Sequence, residues 1–411
     1  MRSMTELSTT INHVNGFSVA GVHAGLKKDG ALDLALLVSD TDSVAAGVFT
    51  RNRIKAAPVL INQEHLAKSN DRIRAVAINT VSANAATGEQ GMLNARKMAE
   101  IVAKQIDCKP EQVFVMSTGV IGSHLPMDKI EAGIQHAAQS LGDHWHDAAL
   151  AIRTTDQFEK WASLTVETDT GSYTVAGITK GAGMIAPNMA TMLGVLVTDV
   201  RLSPKLAQKA LTDASNLSYN RIVVDGDTST NDMVVLLANG RSDYEIQSQT
   251  DFKVFMDALT QLATYLAQQV VRDGEGATKF ITIDVQGAKT SADAEKIAHT
   301  IASSPLVKTA FYGNDANWGR MVAAAGRSGI EFDANKLSLW MTPTLPDSDE
   351  RGLLLFEAGA KADYDEHQAT AIISEDNVTV TLDLGSGDGC AIVWTCDLSH
   401  DYVSINADYR T

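Results

Sequence analysis

Short apolar or alternating runs dominate the start of the chain: FSVAGVHAG at 17–25, LDLALLVSD at 32–40, SVAAGVFTR at 43–51 and IRAVAINT at 73–80. Each is bounded by Gly, Asn, Asp or Ser, and this period of two between turn residues predicts strands. Strands that follow one another this closely predict antiparallel pairing rather than strand–helix–strand units. The period then lengthens. Residues 93–106, 127–152, 202–215, 252–272 and 291–303 carry apolar positions at helical spacing, with Ser203-Pro204 and Ser291 as start signals. Further strands are predicted at 113–122, in a hairpin over 162–178 that turns at 169–172, and at 192–197, 222–224, 233–238 and 280–287. The mixture predicts an α/β protein.

One stretch departs from this regular alternation. Residues 180–199, KGAGMIAPNMATMLGVLVTD, run from a glycine-rich loop straight into an apolar strand. Thr191 stands at the start of that strand, after the small Ala190. Cleavage of the Ala190–Thr191 bond would leave a residue carrying both a hydroxyl nucleophile and an amine base, whose pKa near ~8 lets it accept a proton at neutral pH. Read on spacing alone, the Thr is an ordinary strand residue.

Other strings carry chemistry beside an ordinary reading. Ser117-Thr118-Gly119 ends a strand; glycine amides and a neighbouring hydroxyl are the parts of an oxyanion hole, or simply a turn. Arg153-Thr154-Thr155-Asp156 closes a helical run and reads as a cap. The small-residue loop at 81–91 lets backbone approach closely, and Lys180 opens the central loop. The acidic loop DGDTSTND at 225–232 lacks the carboxylate spacing of a calcium loop, and His144 and His146, two residues apart, face different sides of a helix. No metal is expected. Glu275 lies between two glycines at a helix–strand boundary, where a carboxylate can hold a substrate nitrogen. GAGMIA at 181–186 imitates a dinucleotide fingerprint, but Pro187 and a strand follow where a helix is required. There is no G-x-S-x-G elbow for an α/β-hydrolase triad.

Composition narrows the partners. The 411 residues are ordinary in hydrophobic content, and 34 Lys and Arg against 50 Asp and Glu give a net charge of −16. An acidic chain argues against nucleic acid and anionic membranes as partners. Three cysteines, at 108, 390 and 396, form no disulfide framework and point to a reducing cytoplasm. The N-terminus lacks the apolar core of a secretory signal, and no run approaches the ~18 apolar residues of a membrane span.

The string KGAGMIAPNMATML resembles the processing segment of the ornithine acetyltransferase (glutamate N-acetyltransferase) family of arginine biosynthesis. The resemblance extends in order through Thr118-Gly119, the Thr-Thr-Asp at 154–156, DGDTSTND, GEGATK and the C-terminal tail. The small-residue loop departs from it, with Val81, Ser82 and Ala86 where the family has more Gly and a Cys. The resemblance implies a layered α-β-β-α sandwich of antiparallel sheets with a smaller C-terminal lobe at about 280–411. It also implies self-cleavage into chains 1–190 and 191–411, assembled as a heterotetramer of two each. Thr191 would be the nucleophile, and Thr118 and Gly119 the oxyanion donors. Thr154 (or Thr155), Lys180, Glu275, Asn406 and the last residue, Thr411, would bind substrate. The implied reaction moves acetyl from N-acetylornithine to glutamate without a cofactor; acetyl-CoA stays open as a second donor. An aminopeptidase or amidase of the same self-processing kind, and a binding protein with a degenerate site, are the alternatives.

Overall fold

The strand Leu34–Phe49 is the spine of a nine-stranded sheet. The sequence predicts two strands here, and the chain makes one. Ser39, Asp40, Thr41 and Asp42, between the two apolar runs, coincide with a register shift against Arg72–Asn79 between Val38 and Ser43. Extra residues at such a shift bend a strand and increase its twist. Before the shift the spine pairs with Phe17–Val22 and Arg72–Asn79; after it, Val44 to Phe49 pair with Met233–Ala238. Edge to edge the order is Ser3–Met4, Lys160–Thr168, Gly171–Lys180, Leu193–Thr198, Met233–Ala238, the spine, Arg72–Asn79 and Val113–Ser117. The computed structural model describes residues 3–4, 6–186, 192–343 and 351–408.

The bend makes two layers of one sheet. Val76, Ile78, Phe114 and Met116 from one half share a single buried cluster with Ile178, Val195, Val235 and Leu237 from the other. Among the described residues, the buried helical members of this cluster are Val59 and those of the helix Trp145–Ala151, with Leu66 packed against it. The two half-sheets therefore cover each other face to face. On one outer face Ala75, Ala77, Val113 and Val115 pack against the helices Ala57–Lys68, Gly88–Ile106 and Met127–Gln139. On the other, Gly177 lies against Leu266 of the helix Gln249–Arg272, and Gln208 of the helix Pro204–Leu217 bonds both the N–H and the C=O of Gly47. Helix, sheet, sheet and helix follow in that order, the α-β-β-α sandwich that the resemblance implies.

Within this frame the hairpin is as expected, with Thr168 opposite Gly171 across a two-residue turn. The single helix expected over 127–152 is two, Met127–Gln139 and Trp145–Ala151. Between them Gly142 leaves the helical path to exchange both backbone hydrogen bonds with Val19, at 2.6 and 3.1 Å, so the strand edge takes the bonds a continuous helix would have used.

A second sheet runs Ala360–Lys361, Leu353–Glu357, Ser338–Thr342, Asn377–Asp383, Phe280–Ala288, Gly389–Cys396 and Ile222–Val223. One of its faces is covered by Ile297, Phe311, Met321 and Ile373 from four helices. The first of these, Ser291–Ala302, is capped one residue earlier than expected: Thr290 Oγ1 accepts from the Asp293 amide at 3.1 Å. Most neighbours in both sheets are antiparallel, as expected, and two parallel pairs in each make both sheets mixed. The chain divides into two compact units, one of Met1–Gly181, Asn188–Asn220 and Asp227–Val270, the other of Ala182–Pro187, Arg221–Gly226 and Val271–Thr411. The two apolar runs flanking DGDTSTND are both strands, but of different sheets.

Candidate functional site

In the first unit, Thr118 and Gly119 follow directly on the strand Val113–Ser117. The Thr118 amide donates to Asn79 O at 3.1 Å, and Ser117 Oγ donates to Asn79 Oδ1 at 2.7 Å. Gly119 has φ +129°, and a Cβ added there would lie 2.3 Å from the carbonyl carbon and oxygen of Val81. Glycine is required by conformation and by space at once. The loop that presses on it is unusual. Val81, Asn84 and Ala86 all have positive φ, at 74°, 47° and 54°. For a β-branched Val this is costly. Asn231 holds the loop in place, its Nδ2 donating to Ser117 O at 2.8 Å and Ala83 O at 2.6 Å.

Lys180, the last residue of its strand, is buried beside Thr118. Its Nζ donates to Thr118 Oγ1 at 3.4 Å and lies 3.8 Å from Asp156 Oδ2. Asp156 is itself fully enclosed. Its Oδ1 accepts from Lys160 Nζ at 2.8 Å and from the Gly181 amide at 2.7 Å, and its Oδ2 accepts from the Thr154 amide at 3.0 Å. Burial opposes its ionisation, but Lys180 and Lys160, with the Lys160 and Thr154 hydrogen bonds, outweigh it and hold the carboxyl well below its ordinary range. Thr154 is thus tied to the lysine cluster through its backbone; Thr154 and Thr155 are both half-buried. The sequence does not mark Asp156 or Lys160, because an Asp after Thr-Thr reads as a cap. A charged Lys in the same alternating register as the apolar Ala162, Leu164 and Val166 is the available signal.

A second buried acid stands where the central loop enters its strand. Asp232 Oδ1 accepts from the Met192 amide at 3.0 Å. Burial raises its carboxyl well above the ordinary range, against the opposing pull of the Met192 amide, Ser229 and Lys180. Ala190, Thr191 and Thr411 lie outside the described residues.

In the second unit, the structure brings together two residues that the sequence set far apart. Asn406 Nδ2, on the helix His400–Ala407, donates to Glu275 Oε2 at 2.8 Å. The Glu275 amide donates to Ala182 O at 2.8 Å, and a Cβ on Gly183 would come within 2.4 Å of the Glu275 carboxylate. Asp225 receives the amides of Met184 at 2.5 Å and Ile185 at 2.9 Å, together with the Tyr402 hydroxyl at 3.3 Å. Acidic residues of the 225–232 loop thus serve as backbone clamps. Among the described residues no group of His, Cys, Asp and Glu is arranged to hold a metal. His144 is exposed, His146 bonds Glu159 and leans on Trp161, and His400 sets its ring edge-on to Tyr312. Cys108, Cys390 and Cys396 are free thiols, and no described helix is long and apolar enough to cross a membrane.

Chemically, the first unit offers a cation, a hydroxyl and a glycine backbone in one buried group, suited to an oxygen that gains negative charge. The second offers a carboxylate oriented by an amide, suited to a substrate ammonium.

The chain matches the model of the ArgJ family over residues 18–411. It is 45% identical over 397 residues to the arginine biosynthesis bifunctional protein ArgJ of Chlorobaculum tepidum, covering 96% of both chains. It is 47% identical over 398 residues to the protein of that name from Thermotoga neapolitana, covering 96% of this chain and 99% of the relative. Among solved structures it is similar to ornithine acetyltransferase from Mycobacterium tuberculosis, crystallised with ornithine, at 40% identity. That match covers 46% of this chain and 98% of the other, with a TM-score of 0.41.

Proposed function

Because this chain belongs to the ArgJ family and is a glutamate N-acetyltransferase of arginine biosynthesis, we propose that Thr191 carries its reaction. Thr191 Oγ attacks the Ala190 carbonyl carbon, the Ala190–Thr191 C–N bond breaks as the amine leaves, and water hydrolyses the resulting ester. Chains 1–190 and 191–411 remain, the second beginning with a free amine. Thr191 Oγ then attacks the acetyl carbonyl of N-acetylornithine. Its proton passes to the Thr191 amine, directly or through a water, and on to the departing ornithine nitrogen. Glutamate takes the acetyl group from Thr191 by the reverse chemistry.

The observation that carries this reading is Lys180 Nζ at 3.4 Å from Thr118 Oγ1, beside a Gly119 that admits no side chain. Thr118 and Gly119 hold the oxyanion, and one such donor contributes about 3 kcal/mol to the barrier. Thr154, Lys180, Glu275, Asn406 and Thr411 bind the α-amino acid groups that donor and acceptor share. The Glu275–Asn406 bond supports this assignment for that pair. Relatives are named bifunctional, and acetyl-CoA is carried as the second donor. The two chains act as a cytoplasmic heterotetramer of two each.

Intact mass of the purified, denatured protein tests the nucleophile. Two fragments, the second beginning at Thr191, are expected, with Thr191→Ala giving one. Acetyl transfer to glutamate is then assayed from each donor. Release of free acetate with no N-acetylglutamate would instead assign an amidase of the same kind.

A further inference from the structure

Two buried carboxyls influence Lys180, and their surroundings push them in opposite directions. Asp156 receives two lysines and two amides, and is ionised. Asp232 Oδ1 accepts from the Met192 amide at 3.0 Å, and Ser229 adds a weaker pull on the carboxyl. Its Oδ2 is shut off from solvent and has no hydrogen-bond partner among the described residues. Burial outweighs these donors, and a carboxylate with one oxygen left without a partner is costly beside apolar strands, so this group is the neutral acid. Lys180 attracts its ionised form, and that attraction does not overcome the burial. Divergent carboxyls that both feel one lysine mark a division of roles.

We propose that Asp232 is the positioning residue for residue 191, fixing it by holding the peptide bond that joins it to Met192. This rests on Thr191 being the nucleophile. The Met192 amide nitrogen belongs to that peptide bond, so the hydrogen bond acts one residue from the reacting hydroxyl and amine. Asp232 is anchored in turn: its carbonyl accepts from Thr50 N at 2.9 Å, and the next residue begins the strand Met233–Ala238, in register with Leu193–Thr198. A rigid element thereby sets the position of Met192, the residue that follows the nucleophile in the chain. The neutral form matters as well. A carboxylate here would draw a proton onto the Thr191 amine and disable it as a base, whereas a neutral acid leaves that amine free.

Four full-length variants test this: Asp232→Leu, Asp232→Asn, Thr191→Ala and the double variant carrying the last two. Leu removes the acceptor, and both self-cleavage and kcat of residual matured enzyme are expected to fall about a hundredfold, with KM little changed. Asn keeps an acceptor for Met192 and is permanently neutral, and is expected to recover all but about fivefold of that loss. Circular dichroism and thermal melting establish that each variant is folded. Should Leu fail to fold, the Asn variant and infrared spectroscopy still decide. The carbonyl stretch of a protonated carboxyl should be present in Thr191→Ala at pH 7 and missing when Asp232→Asn is added to it. A folded Leu variant that cleaves like the native chain, an Asn variant as impaired as Leu, or no such infrared difference would each overturn the proposal. Failure of the nucleophile reading is distinct: Thr191→Ala would then be cut like the native chain.

Discussion

At the scale of single residues, the group around Thr118 is held by conformations that are costly alone. Val81 at φ 74° presses its carbonyl against Gly119. A β-branched residue in that region carries strain of about 1–3 kcal/mol, and glycine gives back roughly 0.5–1 kcal/mol of it through its greater unfolded freedom. Val81→Gly is therefore expected to stabilise the protein by about 1 kcal/mol, read as a higher denaturant midpoint with an unchanged slope. Gly119→Ala should do the opposite. Its methyl group meets backbone rather than a movable side chain, so the loop must shift, and acetyl transfer should fall about a hundredfold. A variant with native kcat would remove Gly119 from the oxyanion assignment. Thr118, Gly119, Lys180 and Glu275 were legible as candidates because a hydroxyl, a glycine or a charge stood at a loop boundary, and Asn406 only through the resemblance of the C-terminal tail. Asp156 and Asp232 were not, since their significance lies in burial. An Asp in a turn looks the same in sequence whether it meets water or two buried lysines.

At the scale of elements, period was a good guide to what forms and a poor one to where it bends. The runs at 32–40 and 43–51 read as two strands because four polar residues separate them. Their fusion into Leu34–Phe49 depends on partners distant in sequence, Met233–Ala238 on one side and Arg72–Asn79 on the other. The break at Gly142 is likewise set by Val19, which no local pattern reveals. Helix Gly88–Ile106 begins earlier than its apolar period, because its first turn is polar. That helix and Ala57–Lys68 are joined by a bidentate pair, Arg96 to Glu64 at 2.8 and 3.1 Å, with Lys68 also on Glu64. The Arg96 and Lys68 hydrogen bonds draw the Glu64 carboxyl down to about 2. Its folded pKa is depressed, so its contribution is present above the unfolded value and lost as pH falls toward 2. The pair is largely solvent-facing, so Glu64→Gln should cost no more than about 1 kcal/mol at low salt. That cost should shrink in 1 M salt, where screening is nearly complete. A salt-independent loss would mean that packing, not charge, joins the two helices.

At the scale of the whole molecule, the question is how a chain with net charge −16 keeps charges inside. Lys160 and Lys180 are both buried, and Asp156 compensates them. Removing one partner of a buried ionic group leaves the rest uncompensated, at a cost of about 3–5 kcal/mol. Against a total of roughly 5–15 kcal/mol for a folded protein, that is a large fraction, so Asp156→Asn should lower the denaturant midpoint severely at pH 7. The sign with pH follows from the depressed folded pKa of Asp156. Its contribution is complete above the unfolded value near ~3.9. It is lost only as pH falls below that value toward the lower folded one. Native and Asp156→Asn proteins should therefore differ by a constant amount from pH 7 to about pH 5, and converge below about pH 4. Denaturant titrations at pH 7, 5 and 3.5 measure this. Asp232, displaced in the other direction, gives the opposite slope. Its proton favours the folded state below the unfolded pKa, and that advantage is lost as pH rises through the folded pKa. Asp232→Asn should therefore gain on the native chain as pH rises. A pair of variants whose stability differences run in opposite directions with pH would place one ionised and one neutral carboxyl beside the same lysine. Two differences of the same sign would mean that burial alone sets both.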